Sequence, residues 1–84
     1  MKGKVILSNK DFMFAAIACA DGDILIVEAL DGDRFSIGND VNTRGLGYAD
    51  QGRMQNLSTG EEVEVLVQDV VSSMEEAISK CQGR

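Results

Sequence analysis

Two Asp-Gly-Asp triplets, Asp21-Gly22-Asp23 and Asp31-Gly32-Asp33, set four carboxylates in two short segments. Carboxylate oxygens suit hard cations such as Ca²⁺ or Mg²⁺. The alternating Asp/Asn ligands and terminal Glu of an EF-hand loop are missing, however, and Asp-Gly also supplies the positive φ that tight hairpin turns require. Turn chemistry accounts for both triplets, and no metal site is expected. Cys19 and Cys81 are too few for a disulfide framework and lack metal-ligand spacing. They read as small apolar side chains, with a bridge or a reactive thiol as the alternatives. Histidine is absent. That removes Ser-His and Cys-His nucleophile pairs, imidazole zinc sites and the usual proton carrier near neutral pH. Carboxylates are plentiful, but nothing in their spacing fixes two of them around a pocket. Gly45-Leu46-Gly47-Tyr48-Ala49-Asp50 has Asp where a dinucleotide fingerprint needs its third glycine, so a barrel corner accounts for it better. The expectation is a non-enzyme with no catalytic residues and no cofactor.

Asn9-Lys10-Asp11-Phe12-Met13-Phe14 is the segment with the most binding potential. Met1-Lys2-Gly3-Lys4-Val5 together with Lys10, Phe12 and Phe14 resembles the cold-shock branch of small OB-fold barrels. Those proteins open with M-x-G-x-V and carry K-G-F-G-F after the first strand. Asp11 and Met13 stand where that motif has glycine, and the likeness covers about the first third of the chain. The resemblance implies Phe12 and Phe14 as a stacking platform for single-stranded bases, with Lys10 as a phosphate contact. The residues themselves also allow a Phe-x-Phe pair in a core or an interface. Fourteen acidic residues against eight basic ones give a net charge of −6, which disfavours a polyanionic partner. Lys2, Lys4 and Lys10 cluster early, whereas Arg34, Arg44 and Arg53 are scattered and read as solubility charge.

The elements that must position these residues are mostly strands. Gly3–Ser8 alternates as a half-buried strand, ending in the turn cluster Ser8-Asn9-Lys10-Asp11. Phe12–Ala20 is apolar on both faces; its alanines favour helix, but its flanking turns favour a strand. Ile24–Leu30 lies between the two Asp-Gly-Asp turns and is the clearest β-branched run. Arg34–Ile37 reads as a short strand, Val41–Tyr48 as a strand weakened by glycine, and Arg53–Leu57 as another. Glu62–Gln68 alternates Val63, Val65 and Val67 against mostly polar neighbours. At Asp69 the period changes: Val70, Val71, Met74, Ala77, Ile78 and Cys81 follow one helical stripe. Asp69 or Ser72 could cap this helix, Ser72-x-x-Glu75 and Ser73-x-x-Glu76 both fit a capping box, and Gly83 ends it.

Eighty-four residues make one domain, with sheet over about 2–68 and helix over about 70–82. The expected fold is mainly β: a small antiparallel five- or six-stranded barrel or curved sheet, OB-like or SH3-like, with one C-terminal α-helix. No apolar run is long enough to cross a bilayer, and Val5-Ile6-Leu7 after the charged start is too short for the apolar segment of a secretory signal. A cytoplasmic location without membrane contact follows as an expectation. Apolar residues on both faces of Phe12–Ala20 and Ile24–Leu30 exceed what one short helix should cover. Barrel closure or burial against a second copy would satisfy them, with a dimer the favoured oligomer. The function expected is a non-enzymatic binding or assembly module, self-associating through an apolar sheet face. An OB-like single-stranded nucleic-acid binder is the alternative.

Overall fold

The computed structural model describes residues 1–82. Six antiparallel strands, β1 (Lys2–Asn9), β2 (Phe14–Cys19), β3 (Ile24–Ala29), β4 (Asp40–Asn42), β5 (Gln51–Asn56) and β6 (Glu62–Val71), precede one helix, α1 (Met74–Cys81). The strands close into a barrel in the order β1-β2-β3-β6-β5-β4. Two three-stranded meanders are thus joined by the long crossover from β3 to β4. Closure is made where Gly3 pairs with Val41 on one side and Val27 with Val67 on the other. The expected small barrel with one C-terminal helix is the observed fold.

Residue types explain the two-faced strands. Val5, Ala15, Ile17, Leu25, Val27, Val41, Met54, Val63, Val65 and Val67 point inward and make the barrel core. Burial of each larger aliphatic side chain contributes about 1.5–3 kcal/mol relative to exposure. The alternate residues Ala16, Ile24, Ile26 and Val71 form a second cluster outside the barrel, beneath Ala77 of α1, with Ile6, Leu7 and Ala18 packed against it. The outer apolar surface that suggested a second copy is therefore covered by the chain's own helix. Small alanines at positions 16 and 77 let helix and sheet approach closely.

Two bulges bend the sheet. Ile6 is the extra residue in β1 between Val5 and Leu7, and Gln68 is the extra one in β6 between Val67 and Asp69. Such insertions locally increase twist and help a short-stranded sheet close.

Several boundaries differ from the sequence pattern. Lys10–Met13 is a turn, so the second strand begins at Phe14 rather than Phe12; Met13 takes a left-handed φ of 58°, which a strand does not allow. Asp21-Gly22-Asp23 is a true hairpin turn, with Gly22 at φ 96° and the Asp23 amide donating to Asp21 Oδ1 at 3.0 Å. Asp31-Gly32-Asp33 instead opens the crossover, and Arg34–Ile37 is not a strand. Phe35 leaves the crossover to join the barrel core, while Leu46 of the β4–β5 loop packs against the same core. Of the expected strand Val41–Tyr48 only Val41 and Asn42 pair, as part of β4.

Val70 and Val71 belong to β6, not to the helix, because their register partners Leu25 and Ile24 continue the β3 ladder. The cap is Ser73: its hydroxyl accepts from the Glu76 amide at 3.2 Å and donates to the Glu76 carboxylate at 3.2 Å, so the Ser73-x-x-Glu76 pair legible in the sequence caps the helix through the serine hydroxyl. Ala77 and Cys81 are the helix's buried residues, and the expected stop at Gly83 lies outside the described residues. Among the described residues, no helix is long and apolar enough to cross a membrane.

Candidate functional site

Lys10, Phe12 and Phe14 are brought together at one end of the barrel, where β1 turns into β2. Asn9 builds this turn. Its side-chain oxygen accepts from the Asp11 amide at 3.1 Å, and its Nδ2 donates to the Cys81 carbonyl at the end of α1 at 2.9 Å. The helix thereby anchors the loop that presents the aromatics. Phe12 and Phe14 lie with ring centroids 6.1 Å apart and planes inclined by 37°, a tilted pair. Phe12 is 51 % exposed and Met13 39 %. Phe14 is half-buried.

The register extends this surface onto neighbouring strands. Phe14 pairs with Glu28, which pairs with Leu66 on β6. The Ala29 amide donates to the Met13 carbonyl at 2.9 Å, so Leu30, 43 % exposed, follows directly beside the turn. Phe12, Met13, Phe14 and Leu30 are thus the exposed and half-buried apolar residues that the β2–β3 pairing gathers into a patch at this end of the barrel. Sequence reasoning singled out Phe12 and Phe14 but missed Met13 and Leu30. Leu30 was legible only as the end of a strand, and its place beside Phe12 depends on pairing across the β2–β3 hairpin.

Charge around the patch is mainly negative. Lys10 Nζ lies 3.7 Å from Asp33 Oδ2, an exposed pair. Asp11, Asp31 and Glu28 make no ion pair among the described residues; Glu28 accepts from Gln68 Nε2 at 2.8 Å. Arg34, Arg44 and Arg53 are engaged with Glu61 at 2.6 Å, Glu62 at 2.7 Å and Glu64 at 3.3 Å, spread along the β5–β6 side. The arginines do not converge on the aromatics.

An open groove of about 400 Å³ adjoins this turn on its α1 side, lined by Leu7, Asn9, Lys10, Asp11, Ile78 and Cys81 among others. A smaller one of about 180 Å³ at the opposite end is lined by Met1, Cys19, Asp21, Asp23, Thr43 and Leu46 among others. Both cysteines are free. Burial, then the charges of Asp21 and Asp23, push the Cys19 thiol up, against a smaller downward pull from the N-terminal amine. Burial alone pushes Cys81 up. A raised pKa keeps a thiol protonated and is the wrong direction for a nucleophile. Among the described residues, no group of three or more His, Cys, Asp or Glu is placed to hold a metal ion.

No protein-family model, curated protein or solved structure matches the chain.

Proposed function

We propose that the chain is a non-enzymatic binding or assembly module whose contact surface is the patch Phe12, Met13, Phe14 and Leu30. The observation that carries this reading is the exposure of the Phe12–Phe14 pair on a turn pinned at both ends, by Asn9 to α1 and by Ala29 to β3. Ordered, exposed aromatic and apolar side chains grouped on one face mark contact surfaces on small domains. Since α1 covers the outer cluster at Ala16, Ile24 and Ile26, any assembly of copies would use the open patch instead.

Single-stranded nucleic acid is the second reading, favoured by the aromatic pair beside Lys10. Base stacking works together with cations that follow the phosphates. Here the one adjacent lysine is tied to Asp33, Glu28 is the cross-strand partner of Phe14, and Asp11 precedes Phe12 in the turn. The electrostatics favour a protein contact.

Mapping with small organic probes tests the reading without knowledge of a partner. Phenol and isopropanol, titrated into the isotope-labelled protein, should shift amide resonances at residues 12–14 and 28–30 more than elsewhere. Shifts concentrated in the Leu7–Ile78 groove or at the Cys19 end would overturn it. Saturable binding of an unstructured oligonucleotide, lost in Phe14→Ala, would transfer support to the nucleic-acid reading.

A further inference from the structure

We infer that the occupant of the Phe12–Leu30 patch is a cationic protein segment carrying apolar side chains; this rests on the patch being the docking surface. The warrant is the mismatch between the patch and its charged surroundings. Phe12, Met13 and Leu30 offer apolar surface to be dehydrated; Asp11 and Asp31 adjoin Phe12 and Leu30 in the chain, and Glu28 is the cross-strand partner of Phe14. Lys10–Asp33 and, beside Leu30, Arg53–Glu64 are neutral pairs, so Asp11, Glu28 and Asp31 leave a net −3 at this end. An incoming chain must supply positive charge near those carboxylates or leave them partly desolvated without compensation, which is costly.

The same charge disfavours the competing occupants. A second copy brings its own −6. Nucleic acid and anionic lipid surfaces bring phosphates against that excess of carboxylates. Mode of contact is also constrained. Where β2 and β3 present the patch, each is paired on both sides, so docking there falls to side chains rather than to an added strand. The partner's apolar residues would cover Phe12 and Leu30 while Lys or Arg residues beside them reach Asp11 and Asp31. Such a contact forms quickly at low salt and weakens as screening shortens the reach of exposed charges.

Three short synthetic peptides of one length test this, alternating Leu or Phe with Lys, with Ser or with Glu. Each is titrated into the labelled full chain. The Lys peptide should shift amides at residues 12–14 and 28–31 saturably, with affinity falling about tenfold or more as the Debye length shrinks from roughly 10 Å to 3 Å. Asp11→Asn with Asp31→Asn should weaken it several-fold, and Phe12→Ala should abolish it. These positions are exposed, so an unchanged spectrum elsewhere certifies the fold of each variant. Equal binding of the Ser peptide at the patch would overturn the charge inference while leaving the docking surface intact. Preference for the Glu peptide, or for an oligonucleotide, at the same amides would overturn it in favour of a different partner. Shifts from all three peptides that avoid the patch would overturn both this inference and the docking reading.

Discussion

Asn56 Nδ2 donates to Asn39 Oδ1 across 2.9 Å, joining the end of β5 to the crossover that enters β4. Asn56 is fully buried. Its Nδ2 also donates to the Arg34 carbonyl at 3.0 Å, while its side-chain oxygen accepts from the Ser58 and Thr59 amides at 3.0 and 3.2 Å. Asn39 Oδ1 accepts in addition from the Ser36 amide at 2.9 Å. One side chain therefore orders both the β5–β6 turn and the ten-residue crossover from Leu30 to Asn39 that has no regular structure of its own. Asn56→Ala leaves those groups without a partner and should cost about 1–3 kcal/mol in urea unfolding. Asn56→Asp sets a carboxylate against two acceptor oxygens and should cost at least as much. Wild-type stability in either variant would contradict the assignment.

Close packing at Gly3 makes a second test. A Cβ there would lie 2.7 Å from Ile17 Cγ2 and 3.0 Å from the Ala18 carbonyl oxygen. Gly3→Ala must displace backbone where β1 meets both β2 and β4, and should cost about 1–3 kcal/mol. At Gly52 the nearest atom to an added Cβ is Leu46 Cδ2 at 3.1 Å, the far end of a flexible side chain. Gly52→Ala should cost less than Gly3→Ala in the same measurement. A reversed order would mean that the β1–β2 contact is not as tight as described.

The α1 cover predicts what happens when it is prised off. Ala77 is fully buried against Ala16 and Ile26. Ala77→Asp should destabilise by about 2 kcal/mol or more, since a carboxylate cannot enter that contact unpaired. It should also make the mass in sedimentation rise with concentration, because the outer cluster becomes available to another copy. Ser73→Ala removes the N-cap and should cost about 0.5–2 kcal/mol without that change in mass. Equal self-association of both variants would contradict the division of the outer face.

Cysteine chemistry gives a pH test. Both thiols have pKa values raised in the folded protein, Cys19 by burial and by Asp21 and Asp23, Cys81 by burial. Their contribution to stability is fully present below the unfolded thiol pKa and is lost as pH rises through the higher folded value. Unfolding free energy should therefore fall on the alkaline side of about pH 8.5. Iodoacetamide should label both residues more slowly than a small free thiol at the same pH, and urea should accelerate it. Labelling at the free-thiol rate in the native protein would contradict the burial.

How much of this was legible in the chain depended on period and partner. Val63, Val65 and Val67 alternate with polar residues, so β6 was plain along Glu62–Gln68. Its extension to Val71 was not, because Val70 and Val71 fit a helical stripe equally well and only the β3 partners Leu25 and Ile24 decide between them. The two apolar faces of β2 and β3 were visible, but not what covers the outer one. An eight-residue helix suffices because Ala16, Ala18 and Ala77 are small. Phe35 read as a strand residue, yet it leaves an irregular segment to enter the core, and no local pattern marks that role. Lys10, Phe12 and Phe14 were singled out by their types and by the cold-shock resemblance, and they sit close together because they are neighbours in sequence. Leu30 and the Lys10–Asp33 pair depend on chain folding between distant segments.

Barrel closure and helix cover are tested together by long-range NOEs in the labelled native protein. Backbone NOEs between Gly3 and Val41, and methyl NOEs from Ala77 to Ala16 or Ile26, are the expected result. Absence of both sets, with β1 and β4 amides exchanging at the rates of exposed chain, would contradict the closed, helix-covered barrel that presents the Phe12 turn.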